Sequence, residues 1–150
     1  MKRKEYTAVN FSNADFSKPL CGFTFTDCSF VDVNMREAEI HGCEFIDCDM
    51  RGVDLSSSII SNTVFTSGSE YSLDLLGASF EIARITNSEF RKCNMAGVNM
   101  RASCFLSSEF YGVRLKDARL TSARFVNSIL EDSHYSGERD FVLVHTEWRD

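Results

Sequence analysis

The chain has 150 residues, 16 Lys/Arg against 22 Asp/Glu for a net charge of -6, and 43% hydrophobic with 25% charged residues, the balance of one soluble globular domain. The acidic excess argues against direct binding of nucleic acid, whose phosphates are held by clustered Lys and Arg. The basic start MKRKEY is not followed by an apolar stretch, and no run approaches the roughly 20 apolar residues of a membrane span, so a cytoplasmic protein without membrane contact is expected.

In chain order, residues 1–19 come first. Phe11 and Phe16 are five apart but one residue out of phase with Leu20, so a residue is dropped around Lys18 and Pro19, where proline also removes a backbone donor. This segment reads as an N-terminal cap with the first repeats. From Leu20 to Tyr135 every fifth position is then apolar or aromatic, and only Glu70 breaks the column. The positions two residues earlier are small, apart from Lys18, Phe23 and Leu73. The stretch CEFIDCDMRGVDL shows the rhythm: Phe45, Met50 and Leu55 follow Cys43, Cys48 and Val53, with Glu44, Asp49 and Asp54 between. Neither a strand, with period 2, nor a helix, with period 3.6, repeats this way. One large and one small inward position per five residues describes a chain that turns a corner every five residues around a narrow axis. Such a path is a solenoid, in which each coil must stack on its neighbours to bury its apolar side.

The triplets Ala14-Asp15-Phe16, Val53-Asp54-Leu55, Cys93-Asn94-Met95 and Val98-Asn99-Met100 carry a small residue, Asp or Asn, then a large apolar one. This pattern, over about four-fifths of the chain, resembles that of the pentapeptide repeat proteins. The resemblance implies an all-β fold, a right-handed quadrilateral β-helix with about four pentapeptides per coil and here about six coils. Sampling the large column every 20 residues gives Phe25, Phe45, Phe65, Ile85, Phe105 and Phe125, which predicts a nearly pure Phe stack along one wall at the usual strand spacing of about 4.8 Å. On this reading Phe105→Asp abolishes folding and Asp47→Asn leaves it intact.

The main repeats, 20–135, are interrupted near 66–77, in TSGSEYSLDLLG. Glu70 occupies a central slot that a charge enters only at large desolvation cost, so the chain is expected to bulge there by one pentapeptide and to swing Tyr71 toward the missing centre. Residues 136–150 form a C-terminal cap or tail, strand-like from Phe141 to Trp148; it is expected to cover the exposed end or to pair with a second copy as a homodimer.

Six cysteines invite a reading as disulfides or a zinc site. Cys28, Cys43, Cys48 and Cys93, however, lie in the small inward column, where free Cys behaves as a compact hydrophobe, and no Cys-x-x-Cys pair is present. Cys28 and Cys48 stack one coil apart, close enough for an adventitious bridge. Cys21 and Cys104 face outward and are the expected reactive thiols. His41, His134 and His145 are scattered, so no Ser or Cys with an oriented His forms a local motif, and there is no Gly-rich phosphate loop. Neighbouring Glu44, Asp47, Asp49 and Asp54 read as solvated turn residues. No catalytic residue, metal site or cofactor is assigned.

Charge is distributed unevenly. Residues 1–75 hold six Lys/Arg and twelve Asp/Glu, while residues 76–150 hold ten of each. The acids Asp27, Asp32, Glu44, Asp47, Asp49 and Asp54 fall on outward positions, and Asp27 and Asp47 would occupy equivalent corners of successive coils. Acid of this kind keeps a stacking protein soluble. The family resemblance implies a further reading, because some pentapeptide repeat proteins bind DNA gyrase or topoisomerase IV with an acidic rod that imitates duplex DNA, protecting the enzyme from quinolones or toxins. Those members are generally longer, with projecting loops and a C-terminal helix, whereas this tail reads as strand. The alternative is a generic protein-binding scaffold or effector that docks through outward Ile59, Val64, Tyr71 and Leu76, near the interruption.

Overall fold

The computed structural model describes residues 3–137 and 139–149. Two parallel sheets form adjacent walls of a four-walled solenoid. The first wall stacks eight strands in the order Lys4–Thr7, Phe23–Thr26, Glu44–Ile46, Val64–Thr66, Glu89–Arg91, Glu109–Tyr111, Ile129–Glu131 and Glu147–Arg149. The fourth wall stacks seven: Leu20–Cys21, Glu39–His41, Ile59–Ser61, Arg84–Thr86, Cys104–Leu106, Arg124–Val126 and Val142–Val144. The second and third walls between them are narrower and are joined by single bridges, along Asn10, Ser29, Asp49, Asp74, Asn94, Arg114 and His134 on the second and along Asn34, Asp54, Ser79, Asn99 and Arg119 on the third. Four walls of five residues make one coil, and eight strands on one wall with seven on the adjoining one make about seven coils, one more than the six expected. The additional coil comes from the ends: Lys4–Thr7 pairs in full with Phe23–Thr26, and the tail pairs twice, as Val142–Val144 and Glu147–Arg149. No helix long and apolar enough to cross a membrane occurs among the described residues.

Each wall puts two side chains inside because the chain is extended only over three residues and then turns. Apart from Gly68 and Glu70 in the loop, which are exposed, the large column is buried from Phe25 to Leu130 and the small column beside it from Cys28 to Ser133. Burial of each large side chain contributes about 1.5–3 kcal/mol before entropy is subtracted. The corners need a left-handed residue: Asp27, Asp32, Asp47, Asn62, Asn87, Asn127 and Asp132 have φ between 49° and 55°, a region that Asp and Asn tolerate better than most side chains. Gly52 is the tightest corner, with φ +66° and the Asp32 carboxylate lying where a Cβ would project.

The Phe stack follows a different path from the one expected by counting in twenties. Phe65 pairs with Phe90, 25 residues on, because one whole pentapeptide is looped out after Thr66. The stack on the first wall is therefore Phe25, Phe45, Phe65, Phe90 and Phe110, with ring centroids 5.0, 5.0, 4.7 and 4.8 Å apart in turn, the offset-stacked range. Ile85, Phe105 and Phe125 belong instead to the fourth wall, above Leu20, Ile40 and Ile60. A five-residue insertion preserves the phase of five and so is invisible to that column, while it shifts every count of twenty.

Small polar residues in the inward column hold one corner together. The Cys43 N–H donates to Thr63 Oγ1, Thr63 N–H to Ser88 Oγ, Ser88 N–H to Ser108 Oγ, Ser108 N–H to Ser128 Oγ and Ser128 N–H to Thr146 Oγ1, at 3.1–3.3 Å. Each hydroxyl here thus satisfies a buried amide of the neighbouring coil, as interior polar groups require. Ser58 Oγ, in another corner, is buried with no partner among the described residues. All six cysteines are free. The thiols of Cys48 and Cys93 donate to the Phe25 and Phe65 carbonyls of the preceding coil, and burial pushes the Cys48 pKa from 9.0 up to about 12 and that of Cys93 higher still.

Candidate functional site

The outward residues divide by wall. Glu44 lies on the first wall, Asp49 on the second, Asp54 on the third, with Asp27 and Asp47 at the corner between the first and second and Asp32 at the next corner. These acids thus spread over three walls and two corners rather than forming a stripe. The equivalence of Asp27 and Asp47 holds: their N–H groups donate to Ile46 and Thr66 carbonyls, one coil apart.

Most of these acids also have local work. Asp49 and Asp54 accept the N–H of the residue two further on, Arg51 and Ser56, as do Asn34, Asp74, Asn94 and Asn99 along the same walls. This turn bond is the physical reason that Asp or Asn precedes the large residue in the repeat. Arg51 further grips Asp49 through two bonds, at 2.8 and 2.7 Å, and these hold the carboxyl below the usual carboxylate range. Burial raises the Asp54 pKa, but Ser56 and Arg36 outweigh it and the net shift is downward. Glu44 faces Arg3 at 3.3 Å. Such exposed pairs contribute little stability.

Asp47 differs from the expectation of a free surface acid. Its Oδ1 accepts the Gly68 N–H at 2.6 Å and the Ser72 hydroxyl, so it pins the looped-out pentapeptide. Across the base, Ser67 Oγ donates to the Lys92 carbonyl and accepts the Leu73 N–H, at 2.9 and 2.8 Å. Leu73 then fills a small inward slot and is fully buried. Glu70 is exposed, as the desolvation argument requires. Tyr71 does not fill the centre: Leu73 and Leu75 already close it, and the loop turns the Tyr71 ring outward onto the guanidinium of Arg114, whose Cζ is 4.2 Å from the ring centroid.

The four outward apolar or aromatic residues assigned to docking are placed apart. Ile59 is on the fourth wall, Val64 on the first, Tyr71 on the loop and Leu76 on the second. Ile59 and Leu76 are 48% and 46% exposed. What sequence reading missed is a cluster beside Tyr71. Arg114 and Lys116 flank Leu115 on the second wall, His134 is the bridge partner of Arg114, and Tyr135 and Ser136 follow it. Looping out the pentapeptide around Glu70 before counting coils would have aligned Tyr71 with the Lys92 and Arg114 region.

A family profile described as pentapeptide repeats, eight copies, matches residues 22–57. No curated protein matches the chain. Among solved structures, a trypsin-treated variant of QnrB1, described as a plasmid-mediated fluoroquinolone resistance protein, is 16% identical, with 98% of this chain and 82% of that chain covered and a TM-score of 0.47. HetL from the cyanobacterium Nostoc sp. strain PCC 7120, a pentapeptide repeat protein involved in heterocyst differentiation regulation, is 13% identical over 95% of this chain and 84% of its own, with a TM-score of 0.39. The five-residue walls matched at 22–57 run on in the same geometry to the last coil, so the chain is similar to pentapeptide repeat proteins in its repeat over those residues and in its solenoid fold throughout.

Proposed function

We propose that the chain is a non-enzymatic protein-interaction module whose acidic coils engage a basic, DNA-binding surface, with a type II topoisomerase, DNA gyrase or topoisomerase IV, as the partner that the family resemblance implies. The observation that carries this reading is the arrangement of acid over residues 27–54. Carboxylates project from every wall or corner of consecutive coils, and Arg36 and Arg51 are the cations within that stretch. Acid spread over several walls, in net excess over Arg3, Arg36 and Arg51 that pair with part of it, lets these coils meet a basic saddle at more than one rotation about the axis, and the same field that draws DNA into such a saddle steers them. The backbone explains Asp or Asn at these sites, but it does not require the charged member of the pair.

That distinction supplies the test. Asn can make the same turn bonds and occupy the same left-handed corners, so the combined variant Asp27→Asn, Asp32→Asn, Asp49→Asn and Asp54→Asn keeps the fold and removes four negative charges. Wild-type protein is expected to inhibit gyrase supercoiling in a salt-sensitive way, and the variant to lose that inhibition. Wild-type protein without effect on supercoiling or quinolone poisoning, or a variant as active as wild type, rejects the reading. Docking of another partner through the outward apolar residues would depend on Ile59 and Leu76 instead, and Ile59→Ser with Leu76→Ser separates the two.

A further inference from the structure

The looped-out pentapeptide contributes Tyr71 to one side of a cleft on the second wall. It measures about 490 Å³ and is lined by Tyr71, Arg114, Lys116, His134, Tyr135 and Ser136, within the size range of small-molecule sites. Two features make it a site rather than a gap between side chains.

The first is charge. Arg114 and Lys116 project from the same wall of one coil, and His134 stands beside Arg114 in the next. Among the described residues none of these three forms an ion pair, although the chain as a whole carries -6. Two permanent cations side by side repel each other until an anion joins them. The Arg114 guanidinium lies on the Tyr71 ring, which fixes its plane while leaving its N–H edge free to grip an oxyanion with two bonds. Lys116 adds a second charge at close quarters, and the His134 ring nitrogens add hydrogen-bonding capacity.

The second is rigidity. Tyr71 is held by the following coil, where its N–H donates to the Lys92 carbonyl at 2.9 Å. It is also held from the side, where Gly68 and Ser72 are tied to Asp47. The aromatic wall is therefore already in place before any ligand arrives, which lowers the entropic cost of binding. Tyr71 and Tyr135 offer flat apolar surface, and Arg114 and Lys116 offer two positive charges. The ligand that matches both carries a dianionic group next to a planar ring.

We propose that this cleft binds a small phosphorylated ring compound of the size of a nucleoside monophosphate, with the phosphoryl group on Arg114 and Lys116 and the ring against Tyr71 and Tyr135. The site is separate from the acidic coils, so its test is independent of topoisomerase binding.

Calorimetric titration of the full chain at low ionic strength with three probes, adenosine monophosphate, inorganic phosphate and adenosine, reads the proposal. Adenosine monophosphate is expected to bind one per chain and saturate, with inorganic phosphate and adenosine each weaker by about tenfold or more, since each lacks one half of the recognition. Arg114→Ala and Lys116→Ala are each expected to weaken the nucleotide by about tenfold, and Tyr71→Ala by several-fold. Arg101→Ala, on the third wall, leaves binding unchanged. All four are outward positions, and thermal transitions matching wild type establish that the variants are folded. No saturable binding of the nucleotide up to millimolar concentration, binding that survives Arg114→Ala together with Lys116→Ala, or equal affinity for inorganic phosphate or adenosine would each overturn it.

Discussion

The coils before the looped-out pentapeptide and those after it share an interior and differ in their exterior. Inside, Phe25, Phe45 and Phe65 continue into Phe90 and Phe110 with ring spacings of 4.7–5.0 Å throughout. Outside, the bridge ladders change from Asp49 and Asp54 to Asn94, Asn99, Arg114 and Arg119, and the corners from Asp27, Asp32 and Asp47 to residues such as Lys92, Ala102 and Asn127. The comparison teaches that stacking dictates two positions in five and that local turn geometry restricts two more to a short list of residue types. Charge is then free to differ between halves, and a strong charge bias is information about surroundings rather than about folding.

The largest effect expected is in the shared interior. Phe45→Ala and Phe90→Ala should each cost about 3–5 kcal/mol, and Phe90→Asp should abolish the cooperative transition altogether. Chemical denaturation followed by circular dichroism measures these, and a cost that differs widely between the two alanine variants would break the claim of one continuous core. High pH comes next. The Cys48 thiol is raised from 9.0 to about 12, so it stays protonated in the folded chain where the unfolded chain would ionise. Its contribution is complete below pH 9.0 and is lost as pH rises toward 12, by about 1 kcal/mol for each unit of that interval. The melting temperature should therefore fall through that window, and less so for Cys48→Ala measured against its own neutral-pH value. A thiol reagent at mildly alkaline pH should label Cys21 and Cys104 in the folded protein and reach Cys28, Cys43, Cys48 and Cys93 only on unfolding.

Smaller effects test the joint between the halves. Ser88→Ala removes the acceptor of the Thr63 N–H and should destabilise by about 1–2 kcal/mol, whereas Ser58→Ala removes an unpartnered buried hydroxyl and should stabilise by about 1 kcal/mol. Opposite signs in urea titrations are the expected result. Asp47→Asn should weaken the loop by about 1 kcal/mol and speed protease cleavage within 67–72 while leaving the rest of the rod folded. Equal cleavage rates would show that Asp47 does not hold the loop. The smallest effect belongs to the outward acids: Asp27→Asn should change stability by less than about 0.5 kcal/mol.

Much of this architecture was legible because burial in fives leaves so strong a mark. Both inward columns, the dropped residue before Leu20, and Glu70 as the marker of a bulge could be read from residue type alone. The pairing of Phe65 with Phe90 was not, because a looped-out pentapeptide and a pentapeptide lying along a wall have the same phase. For the same reason, nothing in the column told that Asp47 meets Gly68 and Ser72, or that Tyr71 meets Arg114, 43 residues away in the chain. The acids read as outward are spread over several walls because a step of five residues is also a quarter turn. The Asp and Asn residues preceding the large column read correctly as turn formers, since their hydrogen bonds are made two residues away and need no knowledge of the fold.

The latch of the loop sits on the coil below it. Fraying that starts at the Lys4 end and travels upward would detach Asp47 from Gly68 and Ser72 before it reached Lys92 and Arg114, removing one of the two ties on the aromatic ring while the distal coils were still stacked. Damage to the acidic end is therefore transmitted to the cationic cleft as a loss of preorganisation, giving two chemically opposite surfaces a shared mechanical dependence.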